Sequence, residues 1–341
     1  MELSGRFEFI LDNISEAVLV ADSSLKLLWT NRQAKTLFTE NLNISLLEAT
    51  RLIELEAAAN KVLAEKKPHE FELKMYRNRR QYIFHAMIIP VKAAETIIIL
   101  EDRSKLYRLE QIKRDFAANV SHELRTPIQL IMGFTETILE YDLPKDKLKR
   151  SLEIIQKNAK TMENLTNDLL TLVSIEDEEN PRPEMTETNI HELVTEAVQS
   201  VNPGAQKKKI KIKESCMPGL MAKVCGSFVV IALVNLLDNA IKYSPPSSKI
   251  NIRAVININF LTDGKKTLEI RVRDKGIGIP GEFQERIFER FFRVDKARSR
   301  DAGGTGLGLA IVRHIALLHN GRVEVESHAG EGSCFTLIIP Q

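Results

Sequence analysis

Cysteine is scarce in this chain of 341 residues, which contains only Cys216, Cys225 and Cys334. No two of them have the CxxC spacing of a zinc or redox site, and an odd number this small does not form a disulfide framework. Sparse, unpaired cysteines are typical of proteins in the reducing cytosol. We therefore expect a cytoplasmic protein that does not depend on disulfides.

Long apolar runs are also lacking. A membrane-spanning helix needs roughly 18 or more consecutive apolar residues. The nearest approach, AMIIPVKAAETIIIL, is interrupted by Pro90, Lys92 and Glu95. The first residues also do not show the charged, apolar and small-residue regions of a signal peptide. These two absences predict that this chain carries no membrane span.

An excess of charge of one sign is missing as well, because 48 lysines and arginines balance 46 acidic residues and leave a net charge of +2. Such a balance does not favour nucleic acid or an acidic membrane surface as the main partner. The one basic run, KKKIKIK at 207–213, predicts a solvated strand edge, with a nucleic-acid patch as the alternative. We expect no nucleic-acid partner.

Three regions of different texture predict a multidomain α+β protein. Residues 1–102 alternate short helical and strand-like patterns, such as HEFELKMYR. Residues 103–178 contain two long helical patterns that are broken at YDLPKDK, and residues 184–341 return to mixed helices and strands. The polar, proline-bearing stretch EDEENPRPEMTET between the last two regions is typical of a linker.

The first long helical pattern predicts a helix with one apolar face and a histidine on the opposite side. At about 100° per residue, seven apolar residues share that face. They are Phe116, Val120, Leu124, Pro127, Ile131, Phe134 and Ile138. His122 lies about 200° from Val120, so its ring is predicted to point to solvent. Pro127 lacks an N–H and predicts a kink close to that histidine.

The second long pattern, at 147–174, repeats its residues in sevens, as coiled coils do. One series is Ile155, Met162 and Leu169, and the other is Asn158, Leu165 and Leu172. Two such helices joined by a short loop form an antiparallel hairpin that still exposes apolar surface. Pairing two hairpins would bury this surface in a four-helix bundle, so we expect a homodimer.

Three stretches of the last region each suggest part of a nucleotide site. FVVIALVNLLDNAIKYS predicts a helix whose polar stripe carries Asn235, Asn239 and Lys242. VRDKGIGIP places Asp274 directly after a strand and before two glycines, which permit a close backbone approach. GGTGLGLAIVRHIALLHNG is a glycine-rich turn that opens a helix and so favours an anion. The alternatives are, in the same order, an ordinary solvent-exposed helix face, a surface turn and a dinucleotide-binding loop. A dinucleotide-binding loop would directly follow a strand, which the residues before this turn do not predict.

The motif FAANVSHELRTP, which begins at Phe116, resembles the phospho-acceptor box of the sensor histidine kinases of two-component signalling. The resemblance implies that His122 accepts a phosphoryl group, that Glu123 is its general base, and that a response regulator is the partner. It also implicates Thr126 in removing phosphate from that regulator. The chemistry suits these residues, because a neutral imidazole is nucleophilic near neutral pH and a carboxylate beside it favours loss of the ring proton.

The nucleotide stretches, taken in order, resemble the boxes of the histidine-kinase ATP-binding domain, an α/β sandwich that is shared with DNA gyrase. The resemblance implies that Asn235 holds Mg²⁺, that Asp274 binds adenine, and that Arg293 lies near the transferred phosphate. Arg293 would belong to a mobile lid at 287–300. Further nucleotide contacts are implied at Asn239, Lys242, Tyr243, Gly276, Gly278, Gly304, Thr305, Gly306, Leu307 and Gly308. ATP and Mg²⁺ are therefore the expected cofactors.

The opening pattern FILDNISEAVLVADSSLKLLWTNRQAKTLF resembles, more loosely, the start of a PAS sensory domain. A flavin photoreceptor of that family needs a cysteine beside its cofactor, and none precedes Cys216. A haem version needs a suitably placed histidine, for which His69 and His85 are the candidates. Two roles of this region stay possible. It either only dimerises or docks, or it senses a small ligand.

Two rival functions also stay open for the whole chain. A plain ATPase of the gyrase superfamily is disfavoured because such proteins lack the SHELRTP helix. A dimeric scaffold without catalytic activity is disfavoured because each of the nucleotide boxes is intact in this sequence.

Overall fold

The computed structural model describes residues 9–39, 41–77, 80–91, 95–176, 183–259, 265–294 and 304–341. The chain divides into two compact units, Met1–Ala117 and Ala118–Gln341. The finer division into three domains stays a prediction. Residues 177–182 of the predicted linker and residues 295–300 of the predicted lid lie outside the described residues.

The first unit contains a five-stranded antiparallel sheet in the order β2-β1-β5-β4-β3. The strands are β1 (Ala17–Ala21), β2 (Leu27–Thr30), β3 (His69–Arg77), β4 (Arg80–Val91) and β5 (Glu95–Asp102). The strand patterns of the sequence are thus confirmed in this unit. Strand β3 pairs with β4 and β4 pairs with β5, so these three follow the order of the sequence. Strand β1, which is far from β5 in the sequence, pairs with the other edge of β5.

Three helices lie in the chain between β2 and β3. They are α1 (Arg32–Leu37), α2 (Leu46–Thr50) and α3 (Ile53–Glu65). The buried side chain of Asn31 caps α1, because its Oδ1 accepts the N–H of Ala34 at 3.0 Å. The same oxygen accepts the N–H of Val18 at 2.9 Å, which joins the helix start to β1.

Two long helices follow, α4 (Ser104–Glu140) and α5 (Lys145–Glu176). Their existence and the break near YDLPKDK are confirmed, although α5 extends beyond the predicted 147–174 at both ends. All seven residues of the apolar face predicted for α4 are half-buried or buried, whereas His122 is exposed. The solvent-facing position of this histidine is therefore confirmed. Pro127 lies inside α4, and the kink expected there stays a prediction.

The rest of the second unit combines helices with a five-stranded sheet. This part of the unit contains seven described strands, five in the sheet and two in a separate pair. They are β6 (Thr186–Asn189), β7 (Lys211–Cys216), β8 (Met221–Val224), β9 (Lys249–Asn259), β10 (Lys265–Arg273), β11 (Arg322–His328) and β12 (Gly332–Pro340). The sheet order is β11-β12-β10-β9-β7, and β6 pairs with β8 separately. Only the β7–β9 pairing within the sheet is parallel among the described strands.

Helices α6 (Ile190–Lys207), α7 (Gly226–Tyr243) and α8 (Gly308–Leu318) share one apolar core with this sheet. Leu165 and Leu172 of α5 are buried in the same core. The mixed helix-and-sheet architecture predicted for residues 184–341 is confirmed. Among the described residues, α7 alone is long and apolar enough to cross a membrane by length and composition, and its apolar side packs in this core.

The basic run at 207–213 has two different environments. Lys211 and Lys213 are exposed on β7, which is an edge strand, as predicted. Lys208 follows the end of α6 and is half-buried, with its ammonium bonded to backbone carbonyls of another helix. The prediction of a solvated strand edge is therefore wrong for Lys208.

Candidate functional site

The polar stripe predicted on α7 lies beside the apolar core. Asn235, Asn239 and Lys242 are half-buried, and Tyr243 is exposed. The Nδ2 of Asn235 donates to the carbonyl of Ile231 at 2.9 Å, which leaves its Oδ1 for another partner. Mg²⁺ takes few protein ligands when it shares phosphate oxygens, so a single amide oxygen fits it. The metal-binding role of Asn235 stays a prediction.

Asp274 directly follows β10 and is only 8% exposed. Its Oδ1 accepts the N–H of Gly276 at 2.7 Å and the N–H of Ser333 at 3.1 Å. Burial raises the pKa of Asp274, and these two N–H donors oppose the rise. The carboxylate is thus oriented through one oxygen, and its other oxygen can accept a hydrogen bond from a ligand.

Two glycines after Asp274 let the chain pass close to its neighbours. A Cβ on Gly276 would lie 2.9 Å from the carbonyl oxygen of Tyr243. Gly278 has a φ of +67°, and a Cβ there would overlap the carbonyl of His328. Neither position accepts a side chain without a shift of the backbone. The turn that carries Asp274 is therefore held against the end of α7.

The glycine-rich turn at 304–308 lies directly on the polar stripe of α7. A Cβ on Gly304 would overlap the ammonium of Lys242, and a Cβ on Gly308 would overlap the amide oxygen of Asn235. The turn opens α8, whose free N–H groups and dipole favour an anion at this place. The fold thus brings together residues that are far apart in the sequence.

The middle of this turn is shaped by Gly306, which has a φ of +73°. A Cβ there would lie 2.9 Å from the Cα of Phe291, and the N–H of Phe291 donates to the Gly306 carbonyl at 2.9 Å. The side chain of Leu307 is fully buried in the core. Only the backbone of Leu307 can therefore face a nucleotide.

Two cationic side chains, Lys242 and Arg293, lie close to each other near this turn. Burial lowers the pKa of Lys242 to about 8, the nearby Arg293 lowers it as well, and Asp238 opposes them. Among the residues that the structure describes, the Nη2 of Arg293 is buried and has no hydrogen-bond partner. Buried donors without partners are costly, so the pair suits an incoming polyanion. A nucleoside triphosphate has the negative charge that suits this pair of cations.

Helix α5 also touches the turn, which the sequence analysis did not predict. Thr305 donates from its Oγ1 to Oδ2 of Asp168 at 2.7 Å, and the same Oγ1 accepts the N–H of Leu307 at 3.2 Å. Burial raises the pKa of Asp168, the hydrogen bond from Thr305 opposes the rise, and Asp238 adds to it. No pattern in either segment of the sequence points to this contact.

Near its C-terminal end, α5 makes a second set of polar contacts, with residues that flank the glycine-rich turn in the sequence. Glu176 accepts a hydrogen bond from Arg290 and lies 3.1 Å from Nε2 of His314. Leu165 and Leu172 of α5 are buried in the same core as the apolar side of α8. Helix α5 is therefore part of the surroundings of the nucleotide site.

The remaining predicted residues lie on α4. His122 and Glu123 are exposed, and the hydroxyl of Thr126 makes a long hydrogen bond, 3.4 Å, to the carbonyl of His122. The structure thus brings together predicted nucleotide residues from α7, from the turn after β10 and from the glycine-rich turn. It places His122, Glu123 and Thr126 on a separate helix surface that is open to solvent.

Comparison with known proteins finds two matching families, one for the nucleotide residues and one for the long helices. Residues 226–341 match the family described as histidine kinase-, DNA gyrase B- and HSP90-like ATPase. Residues 112–178 match the His Kinase A (phospho-acceptor) domain. The first match covers α7, Asp274 and the glycine-rich turn, and the second covers α4 from Ile112 together with α5.

Relatives of similar organisation match most of the chain. The phosphate regulon sensor protein PhoR of Pseudomonas aeruginosa is 32% identical over 353 residues, which cover 97% of this chain and 75% of PhoR. The sensor-like histidine kinase SenX3 of Mycolicibacterium smegmatis is 38% identical over 245 residues, 72% of this chain. The matched part is 62% of that SenX3, so this chain spans only part of such a relative.

A solved structure resembles nearly the whole chain in fold. The histidine kinase ThkA, in complex with the response regulator protein TrrA, aligns with a TM-score of 0.52 and 24% identity, covering 97% of each chain. At this identity the likeness concerns the fold. It supports the order of a mixed helix-and-sheet unit, long helices and a C-terminal α/β unit.

Proposed function

The chain belongs to the sensor histidine kinases of two-component systems, and from this premise we propose that it phosphorylates His122 with ATP and passes the phosphoryl group to an aspartate of a response regulator. One observation carries the proposal. The glycine-rich turn and the cations Lys242 and Arg293 form a place for a polyphosphate, in a chain whose His122 is exposed on a long helix.

The nucleotide would be held by three kinds of contact. Asp274 would accept a hydrogen bond from the adenine amino group, and Asn235 would be a ligand of Mg²⁺. The turn at 304–308 would bind the phosphates through backbone N–H groups, with Lys242 beside them. Bound Mg²⁺ supplies charge neutralisation at the phosphate oxygens.

The proposed transfer needs a nucleophile, a base and a cation. A ring nitrogen of His122 forms the N–P bond while the γ-phosphorus separates from its bridging oxygen and ADP leaves with the electron pair. Glu123 accepts the ring proton, and Arg293 neutralises charge that develops on the phosphoryl oxygens. The lid motion that would carry Arg293 towards His122 is part of this proposal.

A single incubation with γ-labelled ATP tests the function against its rivals. A sensor kinase should give label on the protein that is lost in acid and kept in base, as a phosphorylated imidazole is. A plain ATPase of the gyrase type should release free phosphate only. A scaffold without activity should do neither, and either of these last two results would refute the proposal.

The first unit is proposed to be a PAS-like sensor domain. Support comes from its five-stranded antiparallel sheet, from the three helices between β2 and β3, and from the match to PhoR over 97% of the chain. A homodimer is proposed because α4 and α5 expose large apolar side chains, such as Met132 and Leu139 on α4 and Leu170 on α5, which a second copy can bury. A cytoplasmic location is proposed from the sparse cysteines.

Because of Lys242, we expect the affinity for ATP to depend on pH. The pKa of Lys242 is about 8 in the free protein, and a bound triphosphate should raise it because opposite charge favours the ammonium. Binding above that pKa therefore requires uptake of a proton. We expect the affinity to be constant below about pH 8 and to fall by up to about tenfold per pH unit above it.

Calorimetric titrations with Mg²⁺–ATP from about pH 7 to about pH 9.5 measure this dependence. Lys242→Gln provides the control, because it should bind more weakly at neutral pH and lose the decline. A parent protein whose affinity stays flat across the range would show that Lys242 does not face the phosphates.

Thr126 is proposed to help remove phosphate from the regulator by holding a water molecule near its phospho-aspartate. Thr126 is exposed and its hydroxyl makes a long hydrogen bond, 3.4 Å, to the His122 carbonyl, so it can turn towards a water. Thr126→Ala should slow dephosphorylation of a phosphorylated regulator roughly tenfold or more. Phosphorylation of His122 should stay near normal.

A matched control lies further along the same helix. Thr135 is exposed, and its hydroxyl bonds the carbonyl of Ile131 at 2.7 Å, so Thr135→Ala removes an equivalent group without touching the site. It should leave both activities unchanged. If Thr126→Ala lowered both activities equally, a distorted helix would be the cause. If it lowered neither, Thr126 would be a structural residue that precedes Pro127.

A further inference from the structure

Lys208 is a half-buried cation that is bonded to the C-terminal end of α7. Its Nζ donates to the carbonyl oxygens of Ile241 at 2.9 Å, Lys242 at 2.7 Å and Ser244 at 3.3 Å. Carbonyls at a helix C-terminus have no partner inside the helix. One ammonium, with three protons to donate, therefore satisfies the end of the helix that carries the polar stripe.

The backbone holds Lys208 in place for this role. Its residue is the C-terminal cap of α6, and its carbonyl accepts the N–H of Ser247 at 2.9 Å. Helices α6 and α7 are in ordinary packing contact there, since a Cβ on Gly204 would lie 4.0 Å from the side chain of Ile241. The ammonium thus sits beside two helix C-termini, where the negative ends of both dipoles favour a cation.

The last turn of α7 is also the turn that faces the nucleotide site. It carries Lys242 and Tyr243, and the ammonium of Lys242 lies against Gly304. The carbonyl of Tyr243 lies against Gly276, next to Asp274. A shift of this one turn would therefore move the phosphate-side cation and disturb the adenine side together.

We propose that Lys208 is a positioning residue of the nucleotide site, which fixes the C-terminal turn of α7 so that Lys242 and the turn around Asp274 meet the same ATP molecule. The proposal rests on the proposed function, because it assigns Lys208 to the ATP site named there. The alternative is that Lys208 is a helix cap that stabilises the fold and has no effect on binding.

The test compares nucleotide affinity with stability in the full chain. Lys208→Met keeps most of the apolar stem and removes the charge and the three donors. We expect it to bind Mg²⁺–ATP about threefold to tenfold more weakly in calorimetry at a temperature where the protein is folded. Lys208→Arg, which keeps the charge and several donors, should recover most of the affinity.

Two control variants separate positioning from stability. Lys207→Met removes the exposed neighbour in the same lysine run and should change neither affinity nor melting temperature. Val201→Ala makes a cavity in the buried face of α6, where Val201 is 7% exposed, and should lower the melting temperature without changing the affinity. Reduced affinity in Lys208→Met alone, with recovery in Lys208→Arg, supports the proposal.

Two results would contradict these proposals. If Lys208→Met melts at a lower temperature but binds Mg²⁺–ATP as tightly as Val201→Ala, Lys208 is only a cap and the proposal is wrong. If Lys208→Met does not fold, Lys208→Gln replaces it in the same comparison, since its amide keeps a donor without the charge. A parent protein that binds no ATP would overturn the nucleotide site itself, which the parent titration reveals before any variant is compared.

Discussion

Replacing His122 by glutamine should abolish the acid-labile label that γ-labelled ATP leaves on the protein. Glutamine has no ring nitrogen to form the N–P bond, whereas its length and polarity suit an exposed helix position. The nucleotide residues lie on α7, directly after β10 and in the turn at 304–308, whereas His122 lies on α4. The affinity of His122→Gln for Mg²⁺–ATP should therefore stay within about twofold of the parent value.

Two measurements on the same preparations decide this prediction. Label retained after denaturation is counted at acid and at alkaline pH, and ATP affinity is measured by calorimetry. Of the seven histidines in the chain, His122 and His328 are the exposed ones, so His328→Gln is the matched control. It should be labelled like the parent protein. Acid-labile label that persists in His122→Gln would show that another residue accepts the phosphoryl group.

Local geometry made the position of His122 predictable. The 100° step of an α-helix depends only on residues near one another in the sequence, so the apolar face of α4 and the exposure of His122 could be derived from spacing alone. The polar stripe of α7 followed in the same way. In both helices the burial of the opposite side bears out the pattern.

Contacts between distant segments were beyond such reasoning. Spacing could not show that Gly304 and Gly308 would lie on Lys242 and Asn235, and only a resemblance to a known family grouped them. The hydrogen bond between Asp168 and Thr305 was missed because nothing in either segment specifies the other. Such contacts depend on how α5 and α8 pack.

Lys208 shows why composition misleads about a single residue. A lysine within a basic run is most often solvated, and its two exposed neighbours on β7 follow that rule. Lys208 departs from it because the end of α7 presents three carbonyls within reach of its ammonium. Only the tertiary structure creates that acceptor set, so no sequence pattern announced it.

Replacing Asp274 by asparagine should weaken ATP binding roughly tenfold to a hundredfold, which corresponds to ~1–3 kcal/mol for a lost buried hydrogen bond to the ligand. The Oδ1 of Asp274 accepts the N–H groups of Gly276 and Ser333, and asparagine can keep those two bonds with its amide oxygen. The other carboxylate oxygen becomes an NH₂ group. That group can no longer accept a hydrogen bond from the adenine amino group.

The same substitution should narrow the preference for ATP over GTP. Guanine presents a carbonyl oxygen where adenine presents an amino group, so an NH₂ at this place suits guanine better than a carboxylate does. Calorimetry with both nucleotides measures the ratio of affinities, and thermal unfolding checks that the fold is kept. Asp146→Asn, at an exposed aspartate of α5, should leave both values at those of the parent. Unchanged ATP affinity and an unchanged ratio in Asp274→Asn would refute the adenine role, because the substitution acts on the one oxygen that this role requires.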